Sequence, residues 1–452
     1  MTATAPARQK AHSLSPPERR ALRSGAARVL FTNWTGASTV PSHTLYPHQW
    51  SWDSAFVAIG LRHLSPRRAQ RELESLFGAQ WGDGRVPHIV FNPAVPQAAY
   101  FPGPDFWRSS RAGSAAGAPR AVETSGIVQP PVHALAALLV HESDPATSRV
   151  RGFLRRLYPR LAAWHSYLAT RRDLGGGGLV SILHPWEAGM DNSPSWDGPL
   201  SSVEPVPASA FRRADLVAGS ATDRPTDTDY GRYVRLATAY RDHGYRDDRT
   251  YAFAVEDPGF NALLAASERA LATIAEEIGR DPEPHLARSS ALTGALVERL
   301  WQHGSGLFLC RDVVAGERVG ERGVAGLLPL IAPGLPATVA EALVRTVAGP
   351  HFGLGTETVL VPSHDLRSPT FDPARYWRGP AWFNTNWVIE RGLRAHGADA
   401  MADGLAGAML GAAAASDFAE YVDPRTAHAH GATRFGWTAA VTLDLLARTG
   451  ER

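Results

Sequence analysis
The chain has 452 residues, enough for two or three ordinary domains or one large repetitive one, and its 46 Lys+Arg against 44 Asp+Glu leave a formal charge of +2. That balance points away from a nucleic-acid groove and from a membrane surface, both of which need clustered positive charge. The single cysteine, Cys310, rules out a disulfide scaffold and a cysteine-based zinc site, and the single lysine, Lys10, leaves Schiff-base, pyridoxal-phosphate and phosphate-loop chemistry without a lysine beyond the N-terminal stretch.

Residues 1–14 are polar and Ala-rich, with no apolar core of the kind a signal peptide carries, and read as a disordered tail. No apolar run reaches the ~18 residues of a membrane span, so the expectation is a soluble cytoplasmic protein. Ser15-Pro16-Pro17-Glu18 combines a capping hydroxyl, Pro in the first turn and an acid at the positive end of the dipole, and it predicts a helix to about Leu30. Apolar residues at helical spacing then predict helices over 53–61, 65–77, 132–141, 150–170, 260–278, 284–302, 336–347, 381–395, 401–415 and 437–448. Short strands fit 178–183 and 307–313, yet strand and helix nowhere alternate as a doubly wound sheet requires.

Between the helices run long segments, 31–52, 80–130, 171–259 and 349–380, rich in Gly, Pro, Trp and Asp. Loops of that length inside a compact domain are functional or disordered, and their aromatic content argues against disorder. The expected architecture is therefore all-α: one domain over 15–452, an (α/α)6 barrel of helix pairs with its active site built from long loops at one end. Residues 171–259 would form a loop insertion or lid.

Eight of the 13 tryptophans fall in four short stretches, Trp50 and Trp52, Trp186 and Trp196, Trp377 with Trp382 and Trp387, and Trp437, each near an acidic residue. Indole beside carboxylates and amides suits a sugar, whose C–H face stacks on the ring while its hydroxyls take the hydrogen bonds. Glycoside hydrolysis needs two carboxyls, one protonated and one ionised. Asp191, with Trp186, Met190 and Pro194 to desolvate it, is the candidate acid, and Glu420, between Phe418 and Tyr421, is the candidate base. The plainer alternative makes Asp191 a turn cap with Asn192-Ser193-Pro194 and Glu420 a surface carboxylate.

The run from Tyr46 to Leu61, the block Trp186-Glu187-Ala188-Gly189-Met190-Asp191-Asn192-Ser193-Pro194, the block Tyr376-Trp377-Arg378-Gly379-Pro380, and Phe418-Ala419-Glu420-Tyr421 followed by Phe435-Gly436-Trp437-Thr438-Ala439-Ala440 resemble the family 63 glycoside hydrolases. Within that family the likeness is to the bacterial mannosylglycerate and glucosylglycerate hydrolases. It implies an (α/α)6 barrel and inverting hydrolysis of a small α-glycoside without a cofactor or metal, with Asp191 as general acid and Glu420 as general base. It also implies a sugar subsite lined by Tyr46, Trp50, Trp52, Asp53, Trp186 and Asn192, with Tyr376, Trp377, Arg378, Gly379 and Trp382 on the opposite wall. Tyr100, Gln129 and Arg224 then fall near the glycerate.

Arg224 has an independent argument, because a glycerate carboxylate suits a bidentate guanidinium. Its alternative is an ion pair with Asp223, Asp227 or Asp229, whose spacing lacks the Gly and closing Glu of a calcium loop, and the segment reads as a mobile lid. One departure stands out: relatives read Thr-Gly-Glu-Pro after the base, where this chain reads Thr426-Ala427-His428-Ala429-His430. Two histidines two residues apart make a weak metal signal. The rival functions are hydrolysis of a glycerol or disaccharide α-glycoside, a sugar isomerase on a similar toroid, and a sugar-binding protein without turnover. No nucleic-acid or membrane partner is implied, and a homo-oligomer is compatible with the chain.

Overall fold
Ser15 opens the first helix as its sequence requires. Its N–H and its hydroxyl both reach the Glu18 carboxylate at 2.7 Å, with Pro16 and Pro17 in the first turn. The structure is a computed structural model that describes residues 14–112, 116–216, 222–247 and 251–450, so the tail expected at 1–14 lies, apart from Leu14, outside the described residues.

The helices are α1 Pro16–Thr32, α2 Ser51–Leu61, α3 Pro66–Gly78, α4 Pro104–Trp107, α5 His133–Ser143, α6 Pro145–Val150, α7 Phe153–Arg171, α8 Asp227–Asp242, α9 Pro258–Glu277, α10 Glu283–Leu300, α11 Ala337–Ala348, α12 Phe383–Ala395, α13 Asp399–Ala415 and α14 Gly436–Gly450. Contacts between them close a ring. Helix α2 packs on α5, α5 on α9, α9 on the short 3-10 helix Leu328–Ile331, that turn on α12, α12 on α14, and α14 back on α2. Outside this ring α1 lies on α14, α3 on α2 and α5, α7 on α5 and α9, α10 on α9, and α13 on α12 and α14, while α11 packs on the strand Leu307–Phe308. This is the (α/α)6 toroid, with a 3-10 turn in one inner position.

Burial separates the layers as sequence dictates. All of α2 is buried, as are the first three turns of α9, 258–268, and of α14, 436–446, because a helix surrounded by other elements must be apolar or small on every face. Outer helices keep one stripe: α3 buries Ala69, Gln70, Glu72, Leu73, Leu76 and Phe77 and turns Arg67 and Arg71 outward. Among the described residues no helix is long and apolar enough to cross a membrane.

Among the described residues four small antiparallel sheets tie the connecting segments together. Trp50 pairs with Ile89, and Tyr421 pairs with Trp382 on one side and His430 on the other. Ser181–Ile182, Val255–Glu256, Arg311–Asp312 and Glu317–Arg318 form a separate four-stranded sheet. The strands expected near 178–183 and 307–313 are therefore present as two-residue pieces.

The segment 171–259, expected as a loop insertion or lid, needs correction. It contains α8, whose buried Tyr230, Tyr233, Val234, Leu236, Ala237 and Tyr240 pack inward, and it starts with a capping box between Thr226 and Asp229. Asp229 caps its own helix and Asp227 pairs with Arg213 at 2.8 Å, so these aspartates serve neither a calcium loop nor Arg224.

Candidate active site
The inner helices place their N-terminal ends at one mouth. Trp52 and Asp53 occupy the first turn of α2, Gln129 precedes α5, Trp382 is the N-cap of α12, and Phe435 and Trp437 flank the first residue of α14. These residues line one pocket with Pro41, Tyr46, Trp50, His88, Tyr100, Trp186, Gly189, Asp191, Tyr376, Trp377 and Glu420, around about 450 Å³ of unfilled space including the open mouth.

Aromatic stacking builds the walls. Trp377 and Trp382 lie face to face at 3.9 Å, Trp382 stacks on Tyr421 at 4.5 Å, and Trp50 meets Tyr46 and Tyr100 edge-on at 5.3 and 5.1 Å. Trp186 rests on His184 at 4.4 Å and parallel to His88 at 6.3 Å. Gly189, at φ +69°, turns the chain beside Trp52, and a Cβ there would stand 2.4 Å from the indole. Only glycine fits.

The loop carrying Asp191 is anchored from behind. Glu187 takes both guanidinium nitrogens of Arg172 at 2.8 and 3.0 Å and accepts the Leu183 and Val128 backbone N–H groups. The Asp191 carbonyl accepts from the Tyr233 hydroxyl at 2.8 Å, and Asn192 Oδ1 accepts from the Trp377 backbone N–H at 2.9 Å. Arg378 reaches Asp197 at 3.0 Å, and the Gly379 N–H donates to Ser363 Oγ. Asn192, Arg378 and Gly379, expected in the subsite wall, are thus absent from the lining: the first two fasten the acid loop to the Trp377 segment and Gly379 ties that segment to Ser363.

Glu420 is no surface carboxylate: it is 1% exposed. Its Oε1 accepts from the Tyr46 hydroxyl at 2.9 Å, its Oε2 accepts from the Ala432 N–H at 3.0 Å, and Arg224 Nη2 lies 3.5 Å from Oε2. Arg224 is buried, donates through Nη1 to Tyr46 at 2.9 Å and lies over the Tyr376 ring. Its ion-pair partner is Glu420, not the neighbouring aspartates, and it sits one layer behind the lining.

These contacts set the two carboxyls apart. Burial lifts Asp191 to about 7, with the Arg224 charge opposing and the Glu420 charge adding. Among the described residues no side-chain donor meets the Asp191 carboxyl, and its own backbone N–H only partly opposes the rise. Burial also raises Glu420, but Arg224, the Ala432 N–H and the Tyr46 hydroxyl pull it back toward the ionised form. A third carboxyl, Asp53, is buried with Oδ1 unpartnered among the described residues, and burial with the Glu420 charge raises it well above the usual range. Asp53 is itself one of the residues that line the pocket.

Sequence reasoning missed Pro41, His88, Gly189 and Phe435 as lining residues. His88 is pushed down to about 3 by burial, with His184 adding, so it enters the pocket as neutral imidazole. His428 and His430 lie with ring centroids 5.3 Å apart, and His430 stacks on Tyr421. Among the described residues no group of three or more His, Cys, Asp or Glu is placed to hold a metal.

A helical toroid whose mouth is walled with indole and holds a half-buried and a fully buried carboxyl, the second of them held by side-chain donors, defines a glycoside hydrolase of the (α/α)6 class. Residues 46–438 match the mannosylglycerate hydrolase MGH1-like glycoside hydrolase domain, and the chain belongs to that family. It is 40% identical over 427 residues to a mannosylglycerate hydrolase of Rubrobacter radiotolerans, covering 93% of this chain and 96% of that one. A glucosylglycerate hydrolase of Mycolicibacterium hassiacum is 37% identical, with 94% and 97% covered. The crystal structure of the GH63 mannosylglycerate hydrolase from Thermus thermophilus in complex with Tris and D-glycerate superposes with a TM-score of 0.85 at 40% identity, covering 93% and 99%.

Proposed function
We propose that this chain hydrolyses glucosylglycerate or mannosylglycerate with inversion at the anomeric carbon, acting in the cytoplasm, with residues 15–452 as one catalytic domain. Asp191 protonates the glycosidic oxygen while Glu420 takes a proton from the water that attacks the opposite face of the sugar. The observation that carries this reading is the split between the two carboxyls: one half-buried and, among the described residues, without side-chain donors, the other buried and held by Tyr46, Ala432 and Arg224. Environments that push two carboxyls apart are how acid and base are assigned on one protein.

Trp50, Trp52, Trp186 and Trp377 supply the indole surface against which a pyranose ring packs, Trp382 backs Trp377, and Asp53 offers its unpartnered oxygen to a sugar hydroxyl. From behind the lining the Arg224 guanidinium, 3.5 Å from Glu420 Oε2, supplies the positive charge that favours a glycerate carboxylate in the pocket, with Tyr100 and Gln129 among the lining residues on the aglycone side. The test is a panel of α-glucosyl and α-mannosyl derivatives of glycerate, lactate and glycerol, with disaccharides. The expected result is a higher kcat/KM on the glycerates than on the glycerol glycosides. Equal turnover of both would remove the carboxylate-reading role of Arg224, and ligand binding with no product would leave a sugar-binding protein.

A further inference from the structure
The Tyr46 hydroxyl meets three groups: Glu420 Oε1 at 2.9 Å, Arg224 Nη1 at 2.9 Å and the Tyr376 hydroxyl at 3.2 Å. A phenol has one proton to give and two lone pairs to fill. Arg224 can only donate, so it fills one lone pair. An ionised Glu420 can only accept, so the Tyr46 proton goes to Oε1, and the Tyr376 hydroxyl donates into the remaining lone pair. One arrangement satisfies all three contacts, and in it every hydrogen runs toward the carboxylate. Donors stacked in this way polarise one another and strengthen the last bond of the chain.

The other oxygen, Oε2, accepts from the Ala432 N–H at 3.0 Å. Each carboxylate oxygen is thus held by an aligned donor from a different part of the chain, the segment before α2 and the segment after Glu420.

We propose that Tyr46 is a positioning residue for the general base, its hydroxyl loaded by Arg224 and Tyr376 so as to hold the Glu420 carboxylate ionised and oriented toward the attacking water. The inference rests on Glu420 being the base. In the reaction the water oxygen bonds to the anomeric carbon and gives its proton to Glu420. The glycosidic bond breaks as Asp191 gives its proton to the leaving oxygen. Tyr46 keeps its own proton throughout. The sugar-subsite role expected of Tyr46 becomes secondary to this one.

The charged and titratable groups facing Glu420 are Arg224, Tyr376, Tyr421, Asp53 and Asp191. Two of them are carboxyls that disfavour a further negative charge, and Arg224 is the cation that favours it. Removing the Tyr46 hydroxyl therefore takes away a donor that the carboxylate has few means to replace.

Tyr46→Phe keeps the ring contacts with Trp50 and Phe435, at 5.3 and 5.7 Å, and deletes only the hydroxyl. The expected result is a fall in kcat of about 10- to 100-fold with KM within about threefold of the native value. The acidic limb of the pH profile, set by ionisation of the base, should move up by about one pH unit. Tyr376→Phe, which unloads Tyr46 from one side, should move the same limb in the same direction by less. A raised KM with kcat and the acidic limb unmoved in both variants would overturn the proposal and leave Tyr46 as a sugar contact. Glu420→Gln measured alongside separates the two readings. Turnover in that variant removes the base assignment itself, whereas an inactive Glu420→Gln beside an unmoved Tyr46→Phe limb removes only the role of Tyr46.

Discussion

Asn192, the residue after the acid, accepts the Trp377 backbone N–H at 2.9 Å, and both residues are buried. One amide thereby fixes the distance between the acid loop and the indole wall across the pocket. Asn192→Ala leaves a buried N–H without an acceptor, which costs about 1–3 kcal/mol. Chemical denaturation should read that loss, and kcat should fall with it because Asp191 and Trp377 no longer move as one unit. An unchanged denaturation midpoint would show that water replaces the amide without cost.

Activity should fall on the alkaline side as Asp191 loses its proton. Its carboxyl, ordinarily ionised above 3.8, is held to about 7 by burial. The acid works only when protonated, so kcat/KM should decline by about tenfold per pH unit once the pH is well above that value. A pH profile measured in parallel on Asp191→Glu checks the assignment, because the alkaline limb should shift with the replaced group.

The same burial makes Asp191 a cost to the fold. Its folded value is raised, so the stabilisation is complete below the unfolded value of 3.8 and is lost as the pH rises toward about 7. An amide carries no such charge. Asp191→Asn should therefore gain thermal stability relative to the native chain at pH 8 and show little gain at pH 4, while losing activity. Melting curves at the two pH values check it.

Gly431 should tolerate no side chain. At φ +68° a Cβ would stand 2.5 Å from Glu420 Oε2 and from the Tyr421 ring. Gly431→Ala should displace the base rather than unfold the protein, with kcat reduced by about 10-fold or more and KM little changed. Native kcat in that variant would mean that Glu420 has freedom the contacts do not suggest.

The fold and much of this site are legible in the chain, for physical reasons that differ from element to element. Ser15 with Glu18, and the 3.6-residue apolar period of α3, are local signals, and they mark helices that the structure contains. Helix α8 carries a capping box and a periodic face, but tyrosines stand at Tyr230, Tyr233 and Tyr240 of its buried side and are set among charges, so it reads as loop. Asp191 is legible because its desolvating neighbours are adjacent in sequence. The resemblance, rather than spacing, points to Glu420 and Asp191 together. Arg224 sits behind the pocket lining rather than in it, and its sequence neighbours offer only aspartates as partners. Its actual partners are Tyr46, 178 residues away, and Glu420, on the far side of the ring closure, where no local pattern reaches. His88 and Gly189 escape notice in the sequence because their roles come from Trp186 and Trp52 packing against them.

The assignment of Asp191 as acid and Glu420 as base is tested most directly by changing the leaving group. Fluoride departs without needing a proton, so an α-glycosyl fluoride of the preferred sugar bypasses the acid and still requires the base. Asp191→Asn should lose about 10²–10⁴-fold in turnover of the glycerate glycoside and retain most of its turnover of the fluoride, while Glu420→Gln should lose turnover of both. Fluoride hydrolysis abolished in Asp191→Asn but preserved in Glu420→Gln would contradict the account.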